Sequence, residues 1–171
     1  MGVSMSGSVA NRKQQDIHQT AIIGDGTKVW SFVYIGEYTT IGRNCVIANF
    51  VHIDRDVTIG DDCTIQGMVY IPEYTRIGNN CLIHPCVCLI NEKYPPSRRK
   101  EAVVIKDNCI VGSGSVISAG VKLGEGCVVG AGSLVLEDVQ ARTVVFGSPA
   151  HPYYSKQEYE KKKKQWDKMA L

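Results

Sequence analysis

Aliphatic side chains recur at every sixth position of the chain between Ile23 and Leu89. The residue two positions before each of them is small or β-branched, so a narrow and a wide side chain alternate along the whole stretch. This spacing is not the 3.6-residue period of a helix, and no hairpin signal separates one pair from the next. The stretch is therefore an internal repeat. The wide positions are Ile23, Val29, Ile35, Ile41, Ile47, Ile53, Ile59, Ile65, Ile71, Ile77, Ile83 and Leu89.

A second period of eighteen residues is superimposed on the first. Gly24, Gly42, Gly60 and Gly78 each follow an aliphatic residue, one in every three repeats. Because Gly and Asn tolerate the positive φ of a tight corner, three hexapeptides make one triangular coil. Successive coils would stack as parallel strands about 4.8 Å apart, with equivalent residues in ladders along the axis. The pattern predicts an all-β fold, a parallel β-helix of hexapeptide repeats over residues 18–151.

One interruption divides the repeat. The aliphatic positions stop after Leu89 and resume at Ile105, and the intervening residues contain two prolines and four basic residues. An unbroken repeat would place the next aliphatic at position 95, so ten residues are inserted. We expect one ejected loop over residues 90–104, after which the coil resumes in register. Loops on a rigid scaffold tend to carry function, so this loop is a candidate part of a site.

The two ends of the chain differ from the repeat. Residues 1–17 are rich in Ser, Gly and Gln, which predicts a flexible segment. Residues 152–171 are polar and predict a short C-terminal α-helix, in which Ser155 and Glu158 have the spacing of a capping box. An apolar stripe would lie against the last coil, and it consists of Tyr159, Trp166 and Met169.

Composition narrows the range of partners and compartments. A net charge of +2 does not favour nucleic acid, and no apolar run approaches the roughly 18 residues needed to span a bilayer. The N-terminus lacks the apolar core of a signal peptide, so we expect a cytoplasmic protein. The seven cysteines have neither the paired spacing of a zinc site nor a disulfide framework. Five of them fall on the narrow inward position as core residues, namely Cys45, Cys63, Cys81, Cys109 and Cys127.

Outward positions can be assigned to ladders along the coils. One ladder contains Tyr34, His52, Tyr70 and Cys88, a second contains Trp30, Ala48, Gln66 and His84, and a third contains Glu37, Arg55, Glu73 and Asn91. A stripe of aromatic and imidazole rings is either a subunit contact or the wall of a groove. His52 fits both interpretations equally, whereas His84 lies beside Pro85 near the ejected loop and is favoured as a site residue.

At this point the residues resemble a known family, the hexapeptide-repeat acyltransferases that use acetyl-CoA. Within it the chain looks most like the N-acetyltransferases of nucleotide-linked amino sugars that make 3-acetamido sugars. The motifs that carry the resemblance are Ile65-Gln-Gly-Met-Val-Tyr-Ile-Pro-Glu, Ile83-His-Pro, Leu89-Ile-Asn-Glu-Lys-Tyr-Pro and the closing Phe146-Gly-Ser-Pro-Ala. The resemblance implies left-handed coils, a homotrimer with active sites between subunits, acetyl-CoA as co-substrate, a UDP- or dTDP-linked amino sugar as acceptor, and no metal.

The resemblance also implies roles for individual residues. The candidates for orienting the amine or accepting its proton are His84, Asn91 and His52. The cofactor would accept hydrogen bonds from the backbone N–H groups of Ser113, Gly114, Ala131 and Gly132. The phosphates of CoA would be bound by the side chains of Lys122 and Arg142. The candidates for substrate binding are Lys93, Tyr94, Arg98 and Arg99 in the loop.

One departure from related enzymes bears on the acceptor. The maltose and galactoside acetyltransferases carry a catalytic His in the coil after the loop, and the aligned position here is Gly114. A sugar hydroxyl needs a base to become a nucleophile, whereas an unprotonated amine can react when it is positioned well. The glycine therefore favours an amino-sugar substrate over O-acetylation.

Three other functions stay open at this stage. One is sugar O-acetylation. Another is a metalloenzyme like the γ-carbonic anhydrases, although no two of the four histidines have the His-x₄-His spacing of that zinc site. The third is a non-catalytic β-helix acting as an assembly module, against which the ejected loop speaks.

Overall fold

The computed structural model describes residues 14–169, which form a solenoid of short parallel strands followed by one helix. The strands in chain order are β1 (Gln15–Ile17), β2 (Ile22–Ile23), β3 (Lys28–Val29), β4 (Val33–Ile35), β5 (Thr40–Ile41), β6 (Val46–Ile47), β7 (His52–Ile53), β8 (Thr58–Ile59), β9 (Thr64–Ile65), β10 (Tyr70–Ile71), β11 (Arg76–Ile77), β12 (Leu82–Ile83), β13 (Cys88–Leu89), β14 (Val104–Ile105), β15 (Ile110–Val111), β16 (Val116–Ile117), β17 (Lys122–Leu123), β18 (Val128–Val129), β19 (Leu134–Val135), β20 (Thr143–Gly147) and β21 (Ala150–Ser155). The helix α1 is Lys156–Met169.

Three sheets form the sides of a triangular prism. Sheet A contains β1, β4, β7, β10, β13, β16 and β19; sheet B contains β2, β5, β8, β11, β14 and β17; sheet C contains β3, β6, β9, β12, β15, β18, β20 and β21. Neighbouring strands are parallel throughout, except that β21 turns back antiparallel to β20. The predicted parallel β-helix, with its ejected loop and C-terminal helix, is confirmed.

The six-residue period arises because each coil turns a corner after every short strand. The wide aliphatic positions from Ile35 to Leu89 are at most 2% exposed and form one continuous core. Burying a side chain of this size stabilises the fold by about 1.5–3 kcal/mol, so repeated coils accumulate stability. The five cysteines predicted to be core residues are all buried, whereas Cys86 is exposed and Cys88 is half-buried.

The three edges of the prism have different compositions. The AB edge, between sheets A and B, comprises residues 18–20, 36–38, 54–56, 72–74, 118–120 and 136–138 together with the ejected loop. The BC edge comprises residues 24–26, 42–44, 60–62, 78–80, 106–108, 124–126 and 140–142. The CA edge comprises residues 30–32, 48–50, 66–68, 84–86, 112–114 and 130–132, and it contains no Asp, Glu, Lys or Arg.

Most corners contain one residue with positive φ. Gly, Asn and Asp hold many of these positions, as the sequence predicts. The CA edge instead places Phe32, Phe50 and Met68 there, at φ values of 59°, 63° and 60°. These three side chains are more than half exposed. A bulky residue in the left-handed region costs about 1–2 kcal/mol, so this edge departs from the local preference of the sequence.

The predicted insertion is confirmed by the strand register. Arg76 pairs with Thr58, eighteen residues earlier, and with Val104, 28 residues later, so ten extra residues leave the coil. The loop occupies residues 90–103, because β14 already begins at Val104.

Both chain ends require corrections. Of the segment 1–17 predicted to be flexible, residues 1–13 lie outside the described residues, but Gln15–Ile17 form β1 and pair with β4. Residues 152–155, predicted as helix, belong to β21, and α1 begins at Lys156. The prediction that the helix stripe lies against the last coil is wrong for Trp166 and Met169, which are 72% and 68% exposed. Between residues 14 and 169, no helix is long and apolar enough to cross a membrane.

Candidate functional site

The outward face of sheet A carries a hydrogen-bonded group of three side chains. His52 and Tyr70 lie side by side on the neighbouring strands β7 and β10, and Asp54 stands at the corner that follows β7. The Nε2 atom of His52 is 3.0 Å from Oδ1 of Asp54, and the Tyr70 hydroxyl donates to Oδ2 of Asp54 at 2.8 Å. One carboxylate therefore joins the imidazole to the phenol.

The ring of His52 is also held from both sides along the ladder. Tyr34 stacks on one face, with ring centroids 4.6 Å apart, and Tyr70 lies against the other at 5.5 Å. Burial, and secondarily the hydrogen bond to Asp54, raises the pKa of Tyr70 above its ordinary value. The phenol therefore remains a donor throughout the physiological pH range.

A charged ladder lies beside this group on the AB edge. Arg55 Nε donates to Glu73 at 3.1 Å, and His18 lies 3.6 Å from Glu37. A shallow cavity of about 390 Å³ lies between these charges and the aromatic face. Its lining residues are Tyr34, Glu37, Asp54, Arg55 and Glu73.

The ejected loop leaves the AB edge one coil above Glu73, at Asn91. Its base is closed where Glu101 N–H donates to the Asn91 carbonyl at 2.8 Å. Within the loop, Glu92 pairs with Lys100 and accepts the Ser97 N–H at 2.9 Å. The hydrogen bond from Lys100, followed by that from Ser97, lowers the pKa of Glu92. The loop therefore has a defined conformation.

The predicted substrate-binding side chains all lie on this loop. Lys93, Tyr94, Arg98 and Arg99 are exposed, and Arg99 pairs with Glu101 at 2.8 Å. A small cavity of about 90 Å³ lies among Lys93, Tyr94, Ser97, Arg99 and Glu101.

The predicted backbone donors lie at a different edge. Ser113–Gly114 and Ala131–Gly132 occupy consecutive coils of the CA edge, directly after the coil that carries His84. The N–H groups of Gly114 and Gly132 already bond the preceding coil, to Pro85 and Ser113. Those of Ser113 and Ala131 have no acceptor within residues 14–169. A Cβ at Gly114 would meet nothing within 4 Å, so the space above the edge is open.

The structure groups some predicted site residues and separates others. His52 and Asn91 lie toward the AB edge with the loop, whereas His84 lies at the CA edge with the glycine coils, across the width of sheet A. Lys122 is exposed on sheet B, and Arg142 is exposed on the BC edge beside a cavity of about 610 Å³. The six predicted cofactor contacts thus lie on three different parts of the prism surface.

Sequence reasoning missed Asp54 and Tyr70 as partners of His52. The signal was present, because Tyr70 is eighteen residues after His52 and Asp54 is two residues after it. The ladder pattern places Tyr70 in a stripe with His52, but it does not show that a carboxylate at the corner joins the two side chains. In the described part of the chain, no three His, Cys, Asp or Glu side chains are grouped so that they would hold a metal ion.

The sequence matches the family model described as bacterial transferase hexapeptide (six repeats) over residues 20–55, 56–91 and 102–137. The unmatched residues 92–101 between the last two ranges lie in the loop. A curated relative, the 2,3,4,5-tetrahydropyridine-2,6-dicarboxylate N-acetyltransferase of Clostridium perfringens strain SM101, is 41% identical over 56 residues. That match spans 33% of this chain but only 23% of the relative.

Two solved structures share the fold at low sequence identity. PerB from Caulobacter crescentus, in complex with CoA and GDP-perosamine, has a TM-score of 0.54 at 22% identity and covers 82% of this chain and 55% of its own. AntD, an N-acyltransferase from Bacillus cereus in complex with dTDP and 3-hydroxybutyryl-CoA, has a TM-score of 0.52 at 20% identity. It covers 93% of this chain and 87% of its own.

Proposed function

Since the chain belongs to the bacterial transferase hexapeptide family, we propose that it is an acetyl-CoA-dependent N-acetyltransferase. Its acceptor is the amino group of an amino sugar linked to UDP or dTDP, with the amine at position 3 of the sugar. The chemistry requires a neutral amine, a proton acceptor and donors for the oxyanion of the tetrahedral intermediate.

The observation that carries this proposal is the ordered loop at the AB edge. A continuous β-helix has no structural need to eject ten residues, and this loop presents three exposed basic side chains together with the exposed Tyr94. Guanidinium and ammonium groups suit the phosphates of a nucleotide sugar. The structures of PerB and AntD, with GDP-perosamine and dTDP respectively, support the same class of acceptor.

The CA edge supports the placement of the cofactor. The unpartnered N–H groups of Ser113 and Ala131 are suited to hydrogen-bond the thioester and the pantetheine amides. Lys122 and Arg142 are the proposed contacts of the CoA phosphates. The open space above Gly114 contains no imidazole in the position used by the sugar O-acetyltransferases, which favours an amine over a hydroxyl acceptor.

We further propose that the chain is a homotrimer. The loop and the glycine coils lie at different edges of one chain, so a site that needs both is assembled where the AB edge of one protomer approaches the CA edge of another. In such an assembly His84 approaches the loop of the neighbouring protomer.

The first test is acetyl-CoA consumption, followed by release of the free thiol, against UDP- and dTDP-linked amino and hydroxylated sugars. We expect turnover with a 3-amino sugar. Turnover with hydroxylated sugars alone would overturn the choice of an amine. Absence of turnover together with absence of CoA binding would favour the assembly module.

A second test uses variants with matched controls. Asn91→Ala and His84→Ala should each lower kcat at least tenfold without loss of fold, because both residues lie outside the core. The controls Gln19→Ala and His151→Ala change exposed residues that have no proposed role and should keep full activity. Full activity in both site variants would refute the site.

A further inference from the structure

The hydrogen bonds around His52 determine which ring nitrogen carries the proton. An ionised carboxylate can only accept, so Asp54 accepts from His52 Nε2 through Oδ1 and from the Tyr70 hydroxyl through Oδ2. The neutral ring is therefore protonated at Nε2. Nδ1 retains its lone pair, and within residues 14–169 it has no hydrogen-bond partner.

The same residues also fix the orientation of the ring. Tyr34 and Tyr70 restrict rotation of the imidazole from either side, and Asp54 holds its edge. The His52 side chain is nevertheless 48% exposed, so a substrate can reach it. An oriented imidazole with a defined tautomer and an accessible lone pair is the arrangement of a general base.

We propose that His52 Nδ1 is the proton acceptor of the acyl transfer and that Asp54 and Tyr70 are its positioning residues. This proposal rests on the proposed function, and it chooses one acceptor among the candidates that the sequence left open. As the amine nitrogen attacks the thioester carbonyl, the new N–C bond forms and the C–S bond breaks. The amine proton passes to Nδ1 and then to the departing thiolate, which gives an amide and free CoA thiol.

Several ionisable side chains lie on the elements packed beside His52. They are Asp16 on β1, His18 after β1, Tyr34 on β4, Glu37 after β4, Asp54 and Arg55 after β7, Tyr70 on β10, Glu73 after β10 and Cys88 on β13. Burial raises the pKa of the Cys88 thiol, which favours its neutral form.

The tautomer can be tested without any substrate. In ¹⁵N-histidine-labelled protein at alkaline pH, the two-bond ¹⁵N–¹H correlations of His52 should show protonated Nε2 and unprotonated Nδ1. Asp54→Asn should weaken this preference, whereas Tyr34→Phe should not change it, because Tyr34 stacks on the ring without a hydrogen bond to Asp54. An Nδ1-protonated ring in the unmodified protein would overturn the proposal even if the enzyme is active.

The kinetic test uses the same variants and the amino-sugar substrate. His52→Gln should lower kcat by about 10²–10⁴-fold and remove the acid limb of the pH–rate profile. Asp54→Asn should lower kcat about tenfold or more with little change in KM, Tyr70→Phe should lower it several-fold, and the control Gln19→Ala should keep the normal kcat. If His52→Gln keeps the normal kcat and pH profile, the base is wrong although the proposed function stands. If the unmodified protein turns over no amine, the proposed function fails. The tautomer measurement still tests whether Asp54 holds His52 with its proton on Nε2.

Discussion

At the scale of single residues, the narrow inward position of each coil is more polar than its burial suggests. Thr27 Oγ1 donates to the Gly42 carbonyl at 2.7 Å, and in the same column Cys63 Sγ donates to the Gly78 carbonyl at 3.0 Å. The thiols of Cys45, Cys81 and Cys109 likewise donate to corner carbonyls, whereas that of Cys127 lies 3.7 Å from Cys109 Sγ. Four of the five core cysteines therefore fill space and also satisfy corner carbonyls, which the sequence interpretation as simple apolar core residues did not include.

This dual role predicts an order among substitutions of Cys63. Cys63→Ala removes the donor and leaves a small void, so the free energy of unfolding should fall by about 1–2 kcal/mol. Cys63→Thr restores a hydroxyl like that of Thr27 in the same column, and the loss should stay under about 1 kcal/mol. Urea unfolding of both variants measures the difference. Equal losses would show that packing alone determines this position.

A second prediction at this scale concerns Glu92 and pH. Because the Lys100 and Ser97 contacts lower the pKa of Glu92 in the folded loop, their stabilisation is complete above the ordinary carboxyl value of 4.5 and is lost as pH falls through the lower folded value. The protection of the Ser97 amide against hydrogen exchange should therefore decrease as the pH falls through the folded pKa of Glu92. In Glu92→Gln the protection should be lower and should not change with pH, because the amide oxygen still accepts the Ser97 N–H but the side chain does not titrate. The control Glu125→Gln, away from the loop, should behave like the unmodified protein.

At the scale of elements, the strand register shows how far the stability of the coils depends on the loop. Since Ile77 pairs with Ile105 as it would in an uninterrupted coil, the scaffold does not depend on the ten inserted residues. The sequence predicts this well, because the aliphatic positions resume with their spacing intact. It does not predict the internal ion pair of the loop, because Glu92 and Lys100 meet only after the loop has folded back on itself.

Removal of the loop should therefore separate folding from activity. Deletion of residues 92–101 with Ala102→Gly leaves a normal corner, since position 102 then takes the left-handed place held by Tyr74 one coil earlier. The thermal midpoint should fall by only a few degrees, which corresponds to a loss of about 1 kcal/mol. Acetyl transfer should disappear, and CoA binding should persist. A variant that does not fold would mean that the loop supports the coils.

The C-terminal helix shows the limit of pattern reasoning. The Ser155 side chain accepts the Glu158 N–H at 3.2 Å, so the predicted N-cap is confirmed. Trp166 and Met169 of the predicted stripe are nevertheless exposed, and α1 contains no buried residue. A local hydrogen bond can be predicted from two residues, but the docking of a helix depends on the surface that it meets.

At the scale of the whole molecule, the composition of the CA edge is not explained by the fold of a single chain. Six consecutive corners lack charge, whereas both other edges carry acidic and basic residues. Phe32 and Phe50 stack with centroids 5.0 Å apart, more than half exposed and in the left-handed region. Their conformational cost and their exposure are both offset if another protomer covers the edge, since apolar patches of this kind mark interaction surfaces.

Phe50→Asp tests this assembly directly. An Asp tolerates the left-handed conformation, as Asp56 and Asp62 show at φ values of 57° and 58°, so the coil should still fold. A charge buried in each of the three interfaces would be costly, and light scattering should show the mass change from three chains to one. The matched control is Asn108→Asp, an exposed residue at φ 62° on the BC edge, which should remain trimeric. If Phe50→Asp remains trimeric, the protomers do not meet at the CA edge; a monomeric unmodified protein would refute the trimer itself.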